Sequence, residues 1–134
     1  MTVKIEQIRE ECCNYYWYRR KVDEIDTEIE NLRYTMNGVH AVSYSTVPMH
    51  HNENDRKLAE WLEKQDNLIH LKQEYRRKIT MIENWMNQVE TSVRFYVWMS
   101  CVEGMGVPQM AEQSGMHESN VLRMLNKAVQ GICV

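Results

Sequence analysis

Apolar and aromatic residues open the chain at Ile5, Ile8, Cys12 and Tyr15, then resume at Val22, Ile25, Ile29, Leu32 and Met36. The steps of three and four, with one of seven across Arg19, predict a helix over residues 2–36 with a near-heptad seam. Arg19 falls at a seam position, and the step from Arg19 through Val22 to Ile25 reads as a stammer that overwinds a coiled coil locally. A second run is more regular. Leu58, Trp61, Gln65, Leu68, Lys72, Tyr75, Ile79, Ile82, Met86, Val89 and Val93 alternate steps of three and four, with no Gly or Pro between Asn52 and Cys101. This predicts one helix from about residue 54 to 88. Gln65 and Lys72, polar in the seam, lower stability but fix register and partner number.

Between the two runs the pattern lapses. Asn37-Gly38 reads as a helix stop, and Ser43, Ser45, Thr46, Pro48 and His50-His51 follow, which predicts a loop over 37–53. Asn52 is placed to cap the next helix, with Glu53 and Asp55 in its first turn. The matched helix lengths predict either an antiparallel hairpin or an oligomeric coiled coil over residues 1–88.

From residue 89 to 134 the character changes. Thr91-Ser92 can cap a helix through Phe95, Trp98, Met99 and Val102, which Gly104 and Gly106 end. Gly106 can then cap the next helix, with Pro108 in its first turn, where a missing N–H costs little. Met110 and Ala111 face inward, Gly115 supplies a turn with positive φ, and Met116 plugs it. Val121, Met124 and Leu125 provide the buried face of a second helix over about Glu118–Gln130. Ala, Gly four residues on and a β-branched residue six further on is the spacing of a helix-turn-helix. An ordinary helical hairpin is the other reading of that spacing.

The stretch Val97–Gly104, with Met110-Ala111, Gly115, Val121 and Lys127-Ala128-Val129, is similar to region 4 of sigma factors. The whole chain resembles small phage and prophage proteins related to the RinA/ArpU-type late transcription regulators. Residues 42–48 and 54–61 look like that family's inter-helix linker. The chain departs from the pattern at Ser100-Cys101, where an Arg-Tyr pair is usual, and at Gly106 and His117, where Ser or Thr caps are usual. The resemblance implies an all-α protein that binds double-stranded DNA through the second helix of the motif and forms a homo-oligomer through the long helices. The readers would be His117, Glu118, Ser119, Asn120, Arg123 and Lys127. Asn120 suits adenine, and Arg123 suits guanine or phosphate.

Charge pulls the other way. The net charge is −3, whereas nucleic-acid-binding domains are commonly basic. Residues 89–134 hold Arg94, Arg123 and Lys127 against Glu90, Glu103, Glu112 and Glu118. Two alternatives follow: a module that docks on RNA polymerase or another host protein, and a small terminase-like DNA-packaging subunit.

Other features predict absences. The longest nearly unbroken apolar run, Phe95–Met99, is far shorter than a membrane span, so no membrane partner is expected. The first residues lack a signal-peptide core, so a cytoplasmic location is expected, and the phage resemblance implies that the cell is a bacterial host. Cys12, Cys13, Cys101 and Cys133 lack Cys-x-x-Cys spacing and read as reduced, mostly buried thiols. His40, His50, His51 and His70 lack the spacing of zinc ligands. No phosphate loop or hydrolase motif occurs. The expectation is therefore no enzyme, no cofactor and no metal.

Overall fold

The computed structural model describes the backbone of residues 2–43 and 51–134, and the side chains of residues 4–38 and 55–134. Six helices and no strand occur among the described residues, so the protein is all-α. They are α1 (Thr2–Cys13), α2 (Tyr15–Ser43), α3 (His51–Gln88), α4 (Thr91–Cys101), α5 (Val107–Ser114) and α6 (Glu118–Gln130). The described chain divides into two compact units. One joins Met1–Arg19 to Arg77–Val134, and the other is Arg20–Arg76.

The single helix expected over 2–36 is two helices. Asn14 separates them, its N–H donating to the Glu11 carbonyl at 3.0 Å in a tight turn. The cause lies in the spacing of the buried residues. Cys12, Tyr15 and Tyr18 are all buried, a step of three followed by three. Six residues of ideal α-helix fall short of two turns, and a tighter local turn makes up the difference. Arg19 is exposed and is not a seam residue. Tyr18 takes that place, and steps of four, three, four, three and four then lead to Val22, Ile25, Ile29, Leu32 and Met36, all buried.

Asn37-Gly38 does not stop the helix, which runs on to Ser43. A helical Gly costs only about 1 kcal/mol relative to Ala. The expected 37–53 loop is therefore helical at both ends, over 37–43 and 51–53. Residues 44–50, the side chain of Asn52, and the His40, His50 and His51 side chains considered for a metal lie outside the described residues.

In the unit Arg20–Arg76, the Lys72 ammonium pairs with the Asp26 carboxylate across α2 and α3. Their burial is unequal. From Val22 to Met36 the seam of α2 is buried, whereas Leu58, Trp61, Gln65, Leu68, Lys72 and Tyr75 of α3 are only half-buried.

In the other unit, α6 packs against α1, α4 and α5. Its core includes Ile8, Cys12, Val97, Cys101, Met110, Val121, Leu125, Val129 and Ile132. The N-cap of α4 is Glu90 rather than Thr91 or Ser92, and it makes no side-chain cap bond. Arg94 donates instead to the carbonyls of Asn87 and Val89, at 3.3 and 3.2 Å, placing a cation at the C-terminal end of α3. Gln88 closes the chain end: its Nε2 donates to the Cys133 carbonyl at 3.1 Å, and the Cys133 N–H donates back to its Oε1 at 2.7 Å. No described helix is long and apolar enough to cross a membrane.

Candidate nucleic-acid interface

Three residues, Gly115 to His117, join α5 to α6. Gly115 is left-handed, with φ 71° and ψ 15°, a conformation that glycine adopts without the penalty a Cβ brings. Ser114 tightens the turn: its hydroxyl donates to the Ala111 carbonyl at 3.4 Å and accepts from the Met116 N–H at 3.3 Å. Gly106 caps α5, with Pro108 in the first turn. Met110 and Ala111 are buried where α5 meets α6. Met124, expected in the core, is half-buried, whereas Val121, Leu125 and Val129 are buried outright.

All six residues singled out from sequence, His117, Glu118, Ser119, Asn120, Arg123 and Lys127, are exposed. They do not form one face. At about 100° per residue, Asn120, Arg123 and Lys127 stack as a stripe on the side of α6 opposite Val121, Leu125 and Val129, with Ser119 at its edge. Glu118 lies in nearly the same direction as Leu125, seven residues on, and so falls outside the stripe. As an acid in the first turn it complements the helix dipole. His117 is the N-cap and contributes no side-chain cap bond. Its carbonyl accepts from the N–H groups of Asn120 and Val121, both at 3.0 Å. Arg123 and Lys127 make no ion pair among the described residues.

Two neighbours were missed from sequence. Leu122 is 47% exposed and sits one turn beyond Ser119. It lies three residues from Leu125 and seven from Val129, on the margin of the buried face, so sequence phase alone would have placed it in the core. Lys4 of α1 donates to the Gln130 carbonyl at 3.2 Å, placing a second cation beside Lys127 at the C-terminal end of α6. No local pattern signals a contact between residues 126 positions apart. Glu103 buttresses this unit from the α4–α5 connection. It accepts from the Trp98 indole N–H at 3.2 Å and from the Tyr16 hydroxyl. That hydrogen bond, more than burial, raises the pKa of Tyr16.

No group of three or more candidate metal ligands occurs among the described residues. Comparison with protein-family models, with curated proteins and with solved structures found no match to this chain.

Proposed function

We propose that this protein is a phage-type transcription regulator that binds double-stranded DNA through α5 and α6, acting as a helix-turn-helix, and self-associates through the long helices α2 and α3. The observation that carries this reading is the polar stripe Asn120, Arg123 and Lys127, presented opposite the buried face of α6 behind a left-handed glycine turn. A helix so built can lay its first turns in the major groove, where Asn pairs with adenine and Arg with guanine or phosphate. The resemblance to sigma region 4 supports the same assignment. So does the uncovered half of the α3 seam, which a second copy would bury.

The acidic balance of residues 89–134 and the exposure of Phe95 favour a second reading, docking of this unit on RNA polymerase or another host protein.

Arg123→Ala separates the two. Truncating an exposed side chain usually costs less than about 0.5 kcal/mol of stability. DNA binding should weaken by about 1–3 kcal/mol, selectively for the cognate sequence if Arg123 contacts a base and for all sequences alike if it contacts phosphate. Electrophoretic or anisotropy titrations on cognate and scrambled duplexes measure this. Unchanged curves would transfer the role of α6 to protein docking.

A further inference from the structure

The unit Arg20–Arg76 carries an open groove of about 510 Å³ between α2 and α3. Buried Ile29 and half-buried Ile69 supply its apolar lining, between charged walls. Asp26 and Lys72 neutralise one another there as an ion pair. Glu30, Arg33 and Arg76 also line it, are exposed, and make no ion pair or hydrogen bond among the described residues. The eight links from Ser43 to His51 (51 − 43) reach at most about 30 Å. That is too little to return the chain along α3, so the two helices run antiparallel. Arg33 and Arg76, seven and four residues beyond the ion pair (33 − 26, 76 − 72), therefore lie in opposite directions from it. Roughly 16 Å of helix axis separates them. No single small anion spans that distance, and Glu30 asks for a cation in the same groove. The occupant is long and carries both signs of charge.

We propose that a second copy of this chain fills the groove, packed across a two-fold axis that crosses α2 between Glu30 and Arg33. The proposal rests on the self-association assigned to the long helices and adds its register. In an isologous contact residue i meets j and j meets i. Glu30 and Arg33 are three residues apart, neighbours on one face of α2. An axis between them pairs each copy's Glu30 with the other copy's Arg33, giving two ion pairs per dimer.

The apolar residues of α3 ask for the same axis. Asp26 is level with Lys72, and Ile29 with Ile69, so each step along α2 is one step back along α3. The point midway between Glu30 and Arg33 is then level with the point between residues 66 and 67. Leu62 and Ile69, seven residues apart, share a face of α3 to within about 20°. Their midpoint lies between residues 65 and 66, one residue or about 1.5 Å from that level. The axis that joins Glu30 to Arg33 therefore also sets each Leu62 against the other copy's Ile69. Leu62 is 48% exposed, and this contact covers it. Apolar contacts flanked by complementary charges are what fix partner and orientation between long helices.

Sedimentation equilibrium on the full chain tests the register, with circular dichroism checking that each variant stays helical. Glu30→Arg or Arg33→Glu alone sets like charges against one another at both contacts, and should weaken association about tenfold or more. The double swap Glu30→Arg, Arg33→Glu restores both pairs with their signs exchanged, and should return to within about threefold of wild type. Leu62→Ser, which keeps every charge, should weaken association as well, and an unchanged constant would overturn the axis. If wild type associates and neither single reversal alters its constant, the second copy sits elsewhere on the long helices. The register then falls and the self-association stands. A double swap as weak as the single reversals overturns the Glu30–Arg33 pairing. A wild-type monomer removes register and self-association together. A melting temperature then raised by long-chain polyphosphate would give the groove to an extended anion instead.

Discussion

Tyr15 shows how a single side chain couples the fold to pH. It is buried, its hydroxyl donates to Glu83 Oε1 at 2.9 Å, and its ring meets Trp98 edge-on at 5.0 Å. Burial first, and the Glu83 carboxylate second, push its pKa above the ordinary tyrosine value of 10.0. A raised pKa on an acid means that the fold prefers the neutral form. The stabilisation is present in full below 10.0 and is lost as pH rises through the folded value. The protein should therefore lose stability above about pH 10. Tyr15→Phe should cost about 1 kcal/mol at neutral pH through the lost hydrogen bond, and the gap from wild type should narrow on the alkaline side. Denaturant midpoints at neutral and alkaline pH test this, and a constant gap would contradict it. At this scale the exposure of Arg123 was readable from sequence, because a residue two positions past a buried one points roughly 200° away. The exposure of Leu122 and the contact of Lys4 with Gln130 were not, since each depends on which helices pack around α6.

Elements were legible where the backbone itself makes a demand. Gly115 had to supply positive φ, and the span Glu118–Gln130 follows from apolar residues four apart and from the turn before it. Boundaries set by packing were not. The break at Asn14 answers the burial of Tyr18, and Tyr18 was hidden inside the aromatic run Tyr15–Tyr18, which offers a candidate on every side of the axis. Gly38 failed as a stop because a helical Gly costs only about 1 kcal/mol relative to Ala, too little by itself to end a long helix. Ala111 of α5 is buried and small, as a close crossing of α5 on α6 requires. Ala111→Leu should destabilise the unit by roughly 1–3 kcal/mol through overpacking. Thermal unfolding followed by circular dichroism would show it, and an unchanged melting temperature would remove Ala111 from the crossing.

For the whole molecule, the unequal burial of α2 and α3 has a consequence. In the unit Arg20–Arg76, α2 buries its seam from Val22 to Met36 while α3 leaves Leu58, Trp61 and Leu68 half-covered and Leu62 and Leu71 exposed. Such apolar surface on a long helix is what association buries. Size-exclusion chromatography with light scattering at tens of micromolar should give a dimer or larger species. A clean monomer would contradict this assignment.

The central claim is that α6 meets DNA, and its most direct test is a salt titration of binding to a duplex carrying the protein's own upstream sequence, beside a scrambled duplex. Neutralising phosphates with Arg123 and Lys127 releases counterions, so log affinity should fall linearly with log salt, with a slope near −0.9 for each phosphate contacted. The cognate duplex should bind more tightly at every salt concentration, and removing a phosphate-bound Arg123 should reduce the slope by about one per subunit. Absence of binding, or an affinity that does not change with salt, would contradict the account.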